Sequence, residues 1–427
     1  MNLIIQKIQQ QFRYLVNLAS TFLSQIVSAV SLLILTPILV KELGPEKFGL
    51  YGVLLNVVVL SSVLDFGLNL GLLRKLVAKR DDSIYLINSL FFFFCFLFLL
   101  SIPIFFFLFS SQVICTGGSY IYYAVFTSVL VLQTVLTLLF DVIIQAANKI
   151  YIGKIIRISK IIIEFCCLFF LSKSGSVKLL LLASVLVNFL YIFSLFLFSK
   201  KEVNYILSIK NFKISILFEH IQYSFWYFLN ALAGVLVFNG QVVMINALAG
   251  PAMATKYLVV TRFFDVVRIA LTNFTTVLFP FLAAKQLQNN FNELKSIFLK
   301  VFTRVFFIAA IVIALLMTIG EQFFIIWSNH TDDVTLKLYQ LMAIFIFLVV
   351  IDNVPTVFLN AFKLNTFQTI VGIVQGVLGI VIGCFLIIPY GIVGVGIASI
   401  ISLFCTNLFF NPVYLIMVLN KKIAPHK

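Results

Sequence analysis

Two arginines and an aspartate sit where a soluble protein would never need them. Arg262, Asp265, Arg268, Thr272 and Thr276 follow one another at steps of three and four within the apolar stretch 252–284. At helical pitch such steps keep side chains on one face, and Asn273 lies at its edge. Arg268 lies twelve residues past Lys256, roughly 18 Å further along a helix that rises ~1.5 Å per residue. A charge at that depth in a bilayer is expensive, usually faces an internal cavity and is by default a functional-site candidate. Two arginines against one aspartate leave a positive charge over, which suits an anionic ligand. Arginine stays charged when buried and can grip phosphate oxygens bidentately. The alternative is structural: Asp265 neutralises one arginine and the stripe packs.

Further polar stripes accompany this one. Asn17, Thr21, Ser24, Ser28 and Ser31 share a helix face, with Ser20 and Gln25 beside it. Small polar residues at this spacing also serve helix–helix packing. Asn230, Asn239, Gln241 and Asn246, in the stretch 217–249, are bulkier and costlier to bury dry. Together the stripes predict a water-filled lumen lined by the first, second, seventh and eighth spans. The acids Asp265, Asp65, Asp352 and Asp141 are candidates for orienting the cations or coupling to an ion or proton. Asp65 has Arg74 and Lys75 as expected partners, Glu164 has Lys160 one turn away, and Pro355 should kink its helix. Gly372, Gly376, Gly379 and Gly383 form a ridge that reads as packing.

The elements that position these residues are membrane helices. Of the 427 residues 62% are hydrophobic and 11% charged, far from the ~25% charged of ordinary domains. Apolar runs of twenty or more predict an all-α polytopic membrane protein; the strict alternation of a β-barrel is missing. Twelve spans are expected, roughly 14–40, 48–78, 84–109, 119–147, 150–171, 178–199, 217–249, 252–284, 296–328, 334–362, 366–388 and 391–419. They divide as an amphipathic segment 1–13, a six-helix bundle 14–199, a basic cytoplasmic linker 200–216, a second six-helix bundle 217–419 and a tail 420–427. The first apolar run is too long for a cleaved signal peptide and should be retained. On this layout 22 of the 30 Lys and Arg residues fall on one side and 6 on the other, so both termini are expected in the cytoplasm.

The net charge of +15 is accounted for by loop charge and buried cations, not by nucleic acid. The six cysteines, Cys95, Cys115, Cys166, Cys167, Cys384 and Cys405, show no metal or redox spacing, and His220, His330 and His426 are isolated. No cofactor, metal or catalytic constellation is expected.

An internal repeat divides the chain. Gly44-Pro45 precedes Tyr51 at the spacing by which Gly250-Pro251 precedes Tyr257. Ala147 and Lys149 match Ala361 and Lys363, and Ala183-Ser184 matches Ala398-Ser399. With an even number of spans per half, the halves should be related by a pseudo-two-fold along the membrane normal.

The run 43–51 (LGPEKFGLY), then Leu64-Asp65-Phe66-Gly67-Leu68 and Arg74-Lys75-Leu76-Val77-Ala78, resembles the polysaccharide-export branch of the multidrug/oligosaccharidyl-lipid/polysaccharide (MOP) exporter superfamily. Its O-antigen flippase (Wzx) type is the nearest match. The resemblance implies a MATE-like MOP fold and movement of undecaprenyl-pyrophosphate-linked oligosaccharide from the inner to the outer leaflet of the bacterial inner membrane. It implies alternating access through a cationic lumen, with membrane lipids, a polysaccharide polymerase and a chain-length regulator as partners. Arg262 and Arg268 would then bind the headgroup, Lys256 would contact it at the outer mouth and Asp265 would orient them. The hydroxyl and amide stripes suit sugars.

Three other readings remain. A lipid II flippase of the same superfamily typically carries two further helices and first-half lumen arginines. A cation-coupled multidrug exporter would have an acidic lumen. A membrane glycosyltransferase or polymerase would present a large outer loop, and the longest outer gaps here are about 110–119 and 329–337.

Overall fold

Long apolar runs with their hydrogen-bonding groups in the backbone can cross lipid only as helices, and the computed structural model is built of them. It describes residues 2–77, 83–110, 120–276, 278–288, 290–329 and 331–423. Ala78, Lys79, Arg80, Cys115, His330, His426 and Lys427 lie outside the described residues, as do the side chains of 2–15 on which the amphipathic reading of 1–13 rests. Contacts divide the chain into two units, Met1–Phe228 and Leu229–Lys427.

The N-terminal unit holds α1 (Asn2–Leu43), α2 (Pro45–Ser61), α3 (Leu68–Val77), α4 (Ser83–Ser110), α5 (Tyr120–Ala146), α6 (Ile150–Ser172) and α7 (Val177–Glu202), then the first half of α8 (Ile214–Ala249). The stretch 48–78, expected as one span, is broken. α2 ends at Ser61, a 3₁₀ turn covers Ser62–Asp65, and Phe66 and Gly67 take φ of 49° and 68° before α3 begins. The cause is tertiary. A Cβ on Gly67 would lie 2.6 Å from Tyr227 Cβ and 2.7 Å from the Phe228 nitrogen, so the break admits the start of α8 against it. His220 Nε2 meets the Leu68 carbonyl oxygen there at 2.9 Å. These contacts explain why the unit boundary falls inside α8, where the sequence suggests a linker at 200–216.

That linker is itself held. Ser208 N donates to Asn88 Oδ1 at 2.8 Å, Lys213 N donates to Ser89 Oγ at 3.0 Å, and the buried Tyr205 hydroxyl meets Ser199 Oγ at 2.7 Å. Tyr205 joins the unit's core of Leu68, Leu86, Phe94, Leu139 and Ile143.

The C-terminal unit holds the rest of α8 and then α9 (Pro251–Thr276), α10 (Phe279–Leu287), α11 (Phe291–Leu315), α12 (Glu321–Ser328), α13 (Asp333–Ala361), α14 (Asn365–Tyr390), α15 (Ile392–Phe404) and α16 (Asn407–Ile423). Here too the expected spans are interrupted. The stretch 252–284 divides after Thr276, and Pro280 lacks the N–H that would carry the ladder on. The stretch 296–328 contains a π turn at Leu316–Gly320, and Tyr339 Oη donates to the Leu316 carbonyl at 2.8 Å. The stretch 391–419 breaks at Cys405–Thr406, where the Thr406 hydroxyl takes over the Ser402 carbonyl.

Among the described residues ten helices are long and apolar enough to cross a membrane. Two others in the expected set of twelve, α6 and α9, have the length but carry four charged residues each: Lys154, Arg157, Lys160 and Glu164, and Lys256, Arg262, Asp265 and Arg268. The molecule is an all-α polytopic membrane protein, and α11, with Glu293, Lys295, Lys300 and Arg304 gathered in its first half, is counted among the ten because its second half is free of charge.

The repeat is visible in the backbone. Gly44 and Gly250 take φ of 77° and 83°. Each donates its N–H to a carbonyl four residues back at 3.0 Å, and proline opens the next helix. At the α5–α6 and α13–α14 turns the left-handed residues are Asn148 and Lys363, with φ of 59° and 60°. This corrects the register: Asn148, not Lys149, is the counterpart of Lys363. The match of Ser184 with Ser399 has the same offset.

Candidate functional site

In the C-terminal unit, α8, α9, α13, α14 and the α15–α16 turn line a half-open cavity of about 270 Å³. α9 presents Arg268, Thr272 and Thr276 to it, α13 presents Asp352, Asn353 and Thr356, and α14 presents Gln368, Gly372 and Gln375. Asn230, Gly234, Val237 and Phe238 come from α8 and Asn407 from α16.

Arg268 is oriented from two directions. Its Nη2 and Nε donate to Asp265 Oδ1 at 2.8 and 3.2 Å, one helical turn away. Its guanidinium carbon stands 4.4 Å from the centroid of the Phe238 ring, within cation–π range. Two of five N–H donors are engaged by Asp265, which leaves others for a ligand. Thr272 and Thr276 continue the stripe, each returning its hydroxyl to the carbonyl one turn back. Asp265 is half-exposed and Asn273 half-buried beside them.

Arg262 is half-buried and is not part of the cavity wall. Six residues at 3.6 per turn put it about 120° round the helix from Arg268. The two guanidinium groups are therefore not gathered on one cavity. Lys256 pairs with Asp332 at 2.8 Å. Asp332 also caps α13, accepting from the Thr335 nitrogen at 3.2 Å and its hydroxyl at 3.0 Å. Partial burial pushes the Asp332 carboxyl up, but hydrogen bonds from Lys256 and Thr335 outweigh it and hold it below the usual carboxylate range.

Asp352 is buried on the cavity wall and accepts from Asn411 Nδ2 at 2.9 Å. Asn353 Nδ2 donates to the Thr275 hydroxyl and to the Thr272 carbonyl. Gln241 lies deeper, in a buried knot with Ser399 and the Tyr257 hydroxyl that ties α8, α9 and α15 together. Asn239 is half-buried and does not line the cavity.

The predicted residues of the N-terminal unit occupy separate settings. Asn17 is buried with its amide spent on the α5–α6 turn: Tyr151 N donates to its Oδ1 at 2.9 Å, and its Nδ2 reaches the Asn148 carbonyl at 3.4 Å. Thr21 bonds back to the Asn17 carbonyl, Ser24 is buried, and Gln25 and Ser28 are half-buried on α1. The described partner of Asp65 is Asn69, whose backbone and side-chain nitrogens reach Oδ1 at 3.3 and 2.5 Å. Arg74, one of its expected partners, stands over the Tyr227 ring at 5.0 Å. Asp141 accepts from Gln145 Nε2 at 2.9 Å. Lys160 and Glu164 pair at 2.6 Å.

Sequence reasoning missed Asn353, Thr356, Gln368, Gln375 and Asn407, single polar residues without periodic company. It also read the glycines of α14 as packing alone. A Cβ on Gly376 would lie 2.6 Å from Leu236 Cβ, so the ridge does pack. Gly372 borders the cavity as well.

Comparison with known proteins follows the same lines. The family described as polysaccharide biosynthesis protein matches residues 14–286. No curated protein matches the chain by sequence. Among solved structures, the chain is similar to an inward-facing multidrug resistance MATE family transporter of the MOP superfamily, with a TM-score of 0.70 at 14% identity over 94% of this chain and 100% of that one. It is similar to the lipid II flippase MurJ in an inward closed conformation, with a TM-score of 0.73 at 14% identity over 95% of this chain and 87% of that one. A MOP superfamily transporter from Pyrococcus furiosus gives a TM-score of 0.60 at 14% identity, over 97% of this chain and 95% of that one. The fold is that of the MOP superfamily.

Proposed function

Because the chain belongs to the polysaccharide biosynthesis protein family, we propose that it is a flippase for polyprenyl-diphosphate-linked oligosaccharide, an O-antigen or capsule repeat unit on undecaprenyl pyrophosphate. It works by alternating access in the bacterial inner membrane, with both termini in the cytoplasm. The observation that carries this reading is Arg268, held by Asp265 and Phe238 at the wall of a polar cavity inside a helical bundle. A diphosphate is anionic at every physiological pH, and a fixed guanidinium is the side chain best matched to its oxygens. Lys256 and Arg262 are auxiliary contacts, and a polymerase and chain-length regulator are the expected partners downstream.

Asp352 on the same wall favours a role in coupling, to an ion or a proton, within the same transport cycle. The test is complementation of a strain whose own exporter is deleted. Arg268→Ala should insert at normal level and leave surface polysaccharide undetectable. Normal surface glycan in the Arg262→Ala/Arg268→Ala double variant would end the headgroup role.

A further inference from the structure

α11 turns two cations away from the protein. Its buried residues, Phe291, Leu294, Phe298, Ala309 and Ile313, mark the side that packs on other helices. Lys300 and Arg304 lie on the opposite side, one turn apart and exposed. Ser296 and Thr303, also exposed, flank them. The same face continues as Phe307, Ile308 and Ile311, which are 60%, 53% and 62% exposed. No acid answers the two cations: among the described residues neither forms an ion pair. Glu293, the one acid of α11, is taken by Lys285 at 2.8 Å and by Asn290 Nδ2 at 2.6 Å. α13 meets α11 with apolar residues, Phe358 against Phe298 among them, and α16 ends in Lys421 and Lys422.

The helical path from α11 through the π turn into α12 is continuous, so depth can be counted along it. Trp327, near its outer end, is an interfacial residue type. Twenty residues back, the ~30 Å of a hydrocarbon core at ~1.5 Å per residue, stands Phe307. Arg304 and Lys300 follow roughly 5 and 10 Å further on, in and at the edge of a headgroup layer ~5–8 Å deep. Cations at headgroup level with an apolar stripe leading away from them match the two parts of a lipid.

We propose that this face of α11 holds one anionic glycerophospholipid of the leaflet at its basic end, the cytoplasmic leaflet on the orientation proposed above. The phosphodiester takes both cations, whose Cβ atoms are ~5–6 Å apart at i and i+4. The hydroxyls of Ser296 and Thr303 are further donors to its oxygens, and its acyl chains lie along Phe307, Ile308 and Ile311. The ammonium of a zwitterionic headgroup would meet only like charge here. An exported lipid diphosphate carries phosphate too, but α11 gives no residue to the cavity wall. A face outside that cavity is met first by bulk phospholipid. The site stands independently of the transport reading.

The experiment titrates the full chain in detergent micelles with phosphatidylglycerol or phosphatidylcholine and counts bound lipid by native mass spectrometry. The wild type should bind one phosphatidylglycerol about 30-fold more tightly than phosphatidylcholine, the weight of two cations near a membrane surface at ~1 kcal/mol each. Lys300→Gln/Arg304→Gln should bring that ratio close to one, and Lys300→Arg should keep it. Lys210→Gln/Lys421→Gln removes two exposed cations elsewhere and should leave the ratio unchanged. Melting temperatures confirm that each variant is folded, and phosphatidylglycerol should raise that of the wild type but not that of Lys300→Gln/Arg304→Gln. Equal affinity of the wild type for the two lipids overturns the site. An equal fall in both double variants overturns it as well, because only diffuse attraction is then left. If undecaprenyl diphosphate displaces phosphatidylglycerol at equal concentration, and its binding is lost in Lys300→Gln/Arg304→Gln but kept in Arg268→Ala, the face receives the exported lipid and the phospholipid site falls.

Discussion

Asp265 receives both Nη2 and Nε of Arg268 on a single oxygen, at 2.8 and 3.2 Å, one helical turn apart on α9. The pair is neutral as a whole; what it gives the site is direction, since the guanidinium is held in place by two of its five N–H donors and keeps the others. Arg268→Lys should therefore retain the charge but lose the planar fork. Loss of a charged hydrogen bond is worth ~1.5–3 kcal/mol, so lipid-diphosphate binding should weaken by roughly 10- to 150-fold in Arg268→Ala. It should weaken less in Arg268→Lys. Titration with undecaprenyl diphosphate checks the order.

The break in the second span makes a graded test of backbone strain. Gly44 and Gly67 both have positive φ, but only Gly67 meets neighbouring backbone within 3 Å. Gly44→Ala should cost about 1–2 kcal/mol, the left-handed penalty alone. Gly67→Ala should cost more than that, because Tyr227 and Phe228 must also move. Melting in detergent should place the two variants in that order.

The knot at Gln241 predicts non-additivity. Gln241→Leu takes the acceptor away from the buried Tyr257 hydroxyl, at ~1–3 kcal/mol for an unsatisfied group, while Ser399 keeps its bond to the Val395 carbonyl. Combining it with Tyr257→Phe removes one orphan together with its lost partner. The double variant should be more stable than the sum of the two single losses, as a double-mutant cycle on the unfolding free energy would read.

Two groups outside the spans make stability depend on pH in opposite limbs. Burial pushes the Tyr205 hydroxyl up to about 12, against a smaller opposing effect of Ser199. The folded chain then holds its proton more tightly than the unfolded one. That stability is complete below pH ~10 and drains away as pH rises through the folded value. Tyr205→Phe should flatten the alkaline limb. Asp332, held low by Lys256 and Thr335, contributes above its unfolded value near 3.8 and loses that contribution as pH falls below it. Asp332→Asn should flatten the acid limb of a melting-temperature profile.

Much of this architecture can be read from residue pattern. Apolar runs announce membrane helices because lipid leaves the backbone no other choice. The Gly-Pro pairs announce the repeat because each supplies a positive φ and a helix start. The Arg268–Asp265 pair is a local feature of one helix, so its spacing suffices to find it. What escapes the pattern is tertiary. The turn at Phe66 and Gly67 exists because α8 needs the space, and nothing near residue 66 says so. Lys256 finds Asp332 in a loop 76 residues away. Gln375 and Asn407 acquire meaning only when α14 and α16 meet. α6 and α9 escape the plain apolar pattern because their charged residues are spread along the helix, which leaves neither of them a full span's length that is nearly free of charge.

The left-handed turns at Asn148 and Lys363 carry an evolutionary consequence. With those two positions superposed, Asp141 falls opposite Thr356, and Asp352 falls opposite Thr137. Neither acid has an acidic twin in the other half. Whatever duplication produced the two halves, their ionisable residues have since gone separate ways, and a carboxylate lost from one has no stand-in waiting in the other.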